Sequence, residues 1–217
     1  MKRLKNPVTF IFITVLVDCI GIGIIFPVIA SLITEVSHVP VNKATTYSGW
    51  MMTLYALMQF FFSPVLGGIS DRYGRRPVLL LSLLGLGIDY LFLSVAHTLT
   101  LLFIGRIIAG ICGASFTTSF AYIADVSPTE KRAQYFGMMG AAFGVGFIIG
   151  PVIGALASHW GVRAPFVVAA FLSLLNFLYG YFILPESLKP ENRRAFQWKR
   201  ANPLGAFIQI RSEERRV

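Results

Sequence analysis

Six stretches of this chain are nearly free of charged side chains, and each reaches about the 20 residues needed to cross the roughly 30 Å hydrocarbon core of a bilayer. They lie at about residues 7–33, 47–69, 77–96, 98–121, 135–157 and 164–184. Such a pattern leaves few choices of fold. In lipid every backbone N–H and C=O must be bonded within the chain, so only helices and closed barrels can span. The ten-residue alternation of a barrel strand is absent, and the expected fold class is therefore all-α: a polytopic membrane protein of six transmembrane helices. Composition bears on one point. Charged residues make up 13% of the chain, about half the share in a soluble domain.

The net charge of +9 would in another setting suggest a nucleic-acid binder, but the cations form no stripe or patch and sit in short segments between apolar runs. No nucleic-acid partner is expected. Alternate connections hold Lys2, Arg3 and Lys5; Arg72, Arg75 and Arg76; Lys131 and Arg132; and Lys189 onward to the arginines of the tail. The opposite connections hold only Lys43 and Arg163, and the remaining cation, Arg106, falls inside the fourth run. An excess of Lys and Arg marks the cytoplasmic side. Both ends are thus expected in the cytoplasm, with the chain in the inner (plasma) membrane of the cell. The first run is too long for a signal-peptide core and carries Asp18, so it reads as a retained span. Cys19 and Cys112 fall within apolar runs and read as small buried hydrophobes. Residues 1–188 are expected to form the six-helix unit and 189–210 the start of a cytoplasmic central loop. Residues 211–217 read as a foreign tail. No clear internal repeat stands out.

Three charged side chains lie within the runs: Asp18, Asp89 and Arg106. Each costs about 2.5–3.5 kcal/mol at the centre of a lone helix, so each should face the bundle interior or a water-filled cavity. With a rise of 1.5 Å per residue all three fall near one depth, close to the midplane. They could serve a proton- and substrate-responsive site, or Asp89 and Arg106 could form a structural ion pair between consecutive spans. A second signal is Gly67-Gly-Ile-Ser-Asp-Arg-Tyr-Gly-Arg-Arg-Pro77 between the second and third runs. Gly74 can take a backbone conformation closed to other residues, Asp71 is placed near the start of the third helix where the dipole favours an anion, and Pro77 suits a first helical turn. A third is Gly137, Gly146, Gly150, Pro151 and Gly154, small residues at a spacing that lets helices approach closely beside a proline kink. His38, His97 and His159 lie near span ends with no metal-ligand spacing, and no nucleophile and base converge, so an enzyme is not expected. The phenylalanine runs, including Phe60-Phe61-Phe62, read as lipid-facing or packing residues.

Together these motifs resemble the major facilitator superfamily. Gly67-x-x-Ser70-Asp71-Arg72-x-Gly74-Arg75-Arg76 is similar to its loop between spans two and three. Gly137-x8-Gly146-x3-Gly150-Pro151-x2-Gly154 is similar to the fifth-span motif of its proton-coupled drug antiporters, with Ala155 where a further glycine is usual. Leu102-x-x-x-Arg106-x-x-x-Gly110 with Gly113 resembles the fourth-span motif. Val17-Asp18 with Gly21, Gly23 and Pro27, and Asp89-Tyr90, resemble the tetracycline efflux branch. The resemblance implies the N-terminal half of a twelve-span transporter, itself a three-plus-three inverted repeat, exchanging a cytoplasmic drug for an external proton. It further implies that Asp18, Asp89, Arg106 and Gln59 line a proton and substrate cavity, and that Gly67, Asp71, Arg72, Gly74, Arg75, Arg76 and Asp125 form a conformational gate. No cofactor is implied beyond the proton gradient, with a magnesium–tetracycline chelate as a possible form of the substrate. The implied partners are the lipid bilayer, a small-molecule drug and a missing six-helix C-terminal half. The chain then reads as a fragment, a half that pairs with a second chain, or a homodimer of halves. A non-transporting scaffold is the alternative of a different class.

Overall fold

A computed structural model describes residues 7–198. Its helices are α1 (Pro7–Ser37), α2 (Val41–Tyr73), α3 (Arg75–Ser94), α4 (Leu99–Gly113), α5 (Phe116–Val126), α6 (Arg132–Ser158) and α7 (Ala164–Ile183). Six stretches are long and apolar enough to cross a membrane, with α4 and α5 together making the fourth, Leu99–Val126. The helices extend past the apolar runs where amphipathic turns continue them, so that α2 begins at Val41 rather than 47. The fourth run, expected unbroken, is interrupted at Ala114 and Ser115. There the backbone tightens, with Ser115 N–H donating to the Cys112 carbonyl before α5 resumes. The chain enters α4 on a side-chain cap, since Thr98 Oγ1 accepts from Leu101 N–H at 3.3 Å, which satisfies one of the unpaired N–H groups of a helix start.

The pairing of helices follows a rule. α1 packs on α6 and α7, the α4–α5 span packs on α2 and α3, and α3 packs on α7. Exchanging spans one to three for four to six leaves this set unchanged, because the α1–α6 pair becomes α4–α2, α1–α7 becomes α4–α3, and α3–α7 maps onto itself. Consecutive spans alternate in direction, so the exchange also turns the membrane over. This is a three-plus-three inverted repeat, as the resemblance implies.

With that correspondence fixed, an internal repeat becomes visible where none stood out. Ser63-Pro-Val-Leu-Gly67 aligns with Gly150-Pro-Val-Ile-Gly154, and Tyr73-Gly-Arg-Arg76 with Trp160-Gly-Val-Arg163. Gly74 and Gly161, aligned by it, are the two described glycines with positive φ, at 108° and 125°. Most positions between them have drifted, which masks the repeat in the sequence.

Buried residues form two apolar clusters. One, including Ile24, Ile29, Met51, Leu86, Leu102 and Phe166, fills the end opposite the basic connections. The other, including Phe10, Ile11, Leu79, Tyr122 and Met139, fills the basic end. Close helix approach depends on glycine. A Cβ on Gly150 would stand 2.6 Å from Gly23 Cα, and one on Gly154 would stand 2.7 Å from the Ile24 carbonyl. A Cβ on Gly146 would strike Cys19. Gly137 has nothing within 4 Å of a notional Cβ, so this member of the fifth-span motif takes no part in the α1–α6 contact.

Candidate functional site

The structure sorts the candidate residues into three places. The first is the bundle interior. Asp89 on α3 and Arg106 on α4 are both buried and meet at 3.4 Å, Nη2 to Oδ2. The pair leaves Asp89 Oδ1 and Arg106 Nε without a partner among the described residues. Removing one member of such a pair leaves an uncompensated buried charge, which costs about 3–5 kcal/mol. Asp18 on α1 faces α7 instead. Its Oδ1 accepts from Asn176 Nδ2 at 3.2 Å, and the same amide donates to the Thr14 carbonyl at 2.9 Å. The exchange of spans relates these two contacts, since the α1–α7 interface is the counterpart of α4–α3. Asn176 was not singled out from sequence, although an amide in the middle of an apolar run is the signal that would have found it.

The second place is a cavity of about 440 Å³ between α1, α2, α4–α5 and α6, within the usual range for small-molecule sites. Tyr55, Gln59, Ser63 and Thr117 supply its polar atoms, and Phe116, Phe120, Phe143 and Phe147 much of its apolar wall. Gln59 Nε2 donates to Tyr55 Oη and to the Gly113 carbonyl, both at 3.1 Å. A Cβ at Gly113 would stand 2.7 Å from Tyr55 Oη and 2.9 Å from Gln59 Nε2, so glycine there makes room for the polar pair. The break between α4 and α5 borders the cavity and turns Phe116 and Thr117 into it. Of the four residues expected to line a polar cavity, Gln59 lines this one. Asp18, Asp89 and Arg106 are not among its lining residues. Val15 and Ile22 of α1 do line it, and Asp18 between them lies roughly 60° round the helix from Val15, on the side of Asn176. Phe60 and Phe61 are exposed on the outside of α2, and the aromatic wall comes from α5 and α6.

The third place is the basic end, where Arg75 is a buried hub. Its guanidinium pairs with Asp71, donates to Ser70 Oγ at 2.6 Å, and donates from Nε to Asp125 Oδ2 at 3.1 Å. It thereby ties the end of α2 to the end of α5. The backbone N–H groups of Arg75 and Arg76 donate to Glu186 at 2.8 and 3.2 Å. Glu186, just after α7, is therefore the anion at the N-terminus of α3, where two unpaired N–H groups and the helix dipole favour it. That role was expected of Asp71, which instead belongs to the last turn of α2 and pairs with Arg75. A carboxylate directly after the last span, inside a basic segment, was the available signal for Glu186. A side chain at Gly74 would collide with Glu186. Arg76 Nη2 donates to the Tyr181 carbonyl at 2.7 Å, while Arg72 stacks over Tyr73 at 5.0 Å and faces outward. Gly67 has open space around it.

Six spans in an inverted repeat, with a buried charge pair, an aromatic cavity and a charged turn at one end, have the architecture of one six-helix half of a membrane-transporter fold. The chain belongs to the Major Facilitator Superfamily, whose family profile matches residues 11–215. It is 46% identical to the class C tetracycline resistance protein of Escherichia coli over 94% of its length and 50% of that protein. It is 47% identical to the class E protein of Escherichia coli over 85% of its length and 45% of that protein. The chain thus spans about half the length of these curated relatives. The crystal structure of the human organic anion transporter MFSD10 superposes with a TM-score of 0.74, at 24% identity, over 86% of this chain and 49% of that one. That likeness shows the fold.

Proposed function

We propose that this chain is the N-terminal half of a proton-coupled drug antiporter that exports a tetracycline-like compound from the cytoplasm in exchange for an entering proton. The observation that carries this reading is the pair of carboxylates, Asp18 and Asp89, placed in the interior of a transporter half whose relatives are tetracycline resistance proteins. A carboxylate at the midplane can take and release a proton as access alternates, while one half rocks against the other around a central site. The drug occupies the cavity of Tyr55, Gln59, Ser63 and Thr117, where aromatic walls suit its fused rings and the polar atoms orient it. A magnesium chelate of the drug is cargo in this scheme. Among the described residues no group of three or more His, Cys, Asp or Glu could hold a metal ion. The basic end faces the cytoplasm, and Asp71, Arg75 and Asp125 make and break contacts there as the gate. The other wall of the path comes from a C-terminal six-helix half.

The test joins this chain to a matching second half and measures drug uptake into inverted vesicles under a proton gradient. Asp18→Asn and Asp89→Asn should each abolish proton-driven uptake while the protein still inserts. Unchanged uptake by both variants would remove the proton site. Arg75→Ala should slow turnover by about tenfold or more with drug binding retained, and normal turnover would reject the gate.

A further inference from the structure

The end of the bundle opposite the basic turn carries a contact that the efflux reading does not use. Arg163, at the start of α7, donates from Nε to Glu35 Oε1 at 3.0 Å and from Nη1 to the Ser94 carbonyl at 2.7 Å. It thus joins the last turns of α1 and α3 to the first turn of α7. In the internal repeat Arg163 is the counterpart of Arg76, and Ser94 that of Tyr181. The bond from Arg76 to the Tyr181 carbonyl and the bond from Arg163 to the Ser94 carbonyl are therefore one interaction made twice, at opposite ends of the α3–α7 pair. Each arginine follows two residues after a glycine of positive φ, Gly74 or Gly161. The carboxylates at the two ends differ: at the basic end Asp71 and Asp125 pair with the neighbouring Arg75 and Glu186 accepts from the Arg76 N–H, whereas at the other end Glu35 pairs with Arg163 itself.

We propose that Glu35, Arg163 and the Ser94 carbonyl form a second clamp, the inverted twin of the Arg76–Tyr181 bond at the basic end, which holds the opposite end of this half closed. The inference rests on the alternating-access part of the proposed function, since a transporter that opens on both sides needs a release at each. The two clamps are unequal. Val162 stands where Arg75 would be, so the second clamp lacks the buried hub and depends on one half-exposed ion pair and one carbonyl bond. Exposed pairs contribute at most about 1 kcal/mol, and so this end is the one that opens more readily.

The test uses the 217-residue chain in opened membrane vesicles, with Cys19→Ala and Cys112→Ser removing the native thiols. Ala96→Cys reports on the α3 end beside Ser94, and Leu184→Cys on the basic end; both positions are buried. Labelling by a charged maleimide is timed at each. Arg163→Ala should speed labelling at position 96 by about fivefold, the effect of losing about one net hydrogen bond, and leave position 184 unchanged. Arg76→Ala should do the reverse. Glu35→Gln, which keeps the carbonyl bond, should give about a twofold rise at position 96, and it carries the test if Arg163→Ala does not reach the membrane. Equal opening of both ends by Arg163→Ala, or no change at position 96, would overturn the proposal. No drug or proton is read in this assay, so failure of the efflux reading and failure of the clamp are separate results.

Discussion

Gly74 shows how one backbone angle decides the chemistry of the basic end. Its φ of 108° lies where side chains are strained, and the space a Cβ would take is filled by Glu186, so the glycine both turns the chain and admits the carboxylate that caps α3. Gly74→Ala should therefore cost about 2 kcal/mol, read as a lower melting temperature in detergent, whereas Glu186→Gln, which keeps the shape, should cost about 1 kcal/mol. Equal melting of Gly74→Ala and the parent would contradict this account. The glycine was legible in the sequence, because a glycine between two charged helix ends has few other uses. Its partner was not, since Glu186 reaches Arg75 across 111 positions of chain and no local pattern records that distance.

At the scale of elements, α1 and α6 lie together because glycines remove the side chains that would hold them apart. In lipid there is little hydrophobic drive to pair helices, so close van der Waals approach must supply the attraction. Gly150→Leu should separate α1 from α6 and lower the amount of folded protein recovered from membranes several-fold. Gly137→Ala has open space around it and should leave folding intact or improve it by up to about 1 kcal/mol through helix propensity. Similar losses from both substitutions would show that the motif acts as a unit rather than through its contacts. The spacing of Gly146, Gly150 and Gly154 disclosed a packing face, but it could not say which helix that face meets. Gly137 belongs to the same motif, and only the packing shows that it stands apart. The break between α4 and α5 was equally hidden, because Gly110-Ile-Cys-Gly-Ala-Ser is as apolar as an unbroken helix would be.

Across the whole molecule the charges of the interior find their partners on other helices: Asp89 meets Arg106 on the next span, and Asp18 meets the Asn176 amide on the last. Asp89→Asn or Arg106→Gln alone should destabilise the bundle by about 3–5 kcal/mol, and the two together by much less, because the double change leaves no unpaired charge. Melting of the single and double variants in detergent checks this, and additive losses would mean that Asp89 and Arg106 are not a pair. The sequence by itself determined the six spans, the helical class and the short list of charged residues in the interior. Those follow from the bilayer, which imposes the same length, internal bonding and cost of charge on every segment independently. The tertiary structure alone decided that Asp18 turns to Asn176 while Asp89 turns to Arg106, that Gln59 rather than either aspartate lines the aromatic cavity, and that Arg163 repeats the bond of Arg76. Each of these depends on which helix lies against which and at what rotation. Lipid is indifferent to those choices, and close contact between particular side chains and bare backbones fixes them.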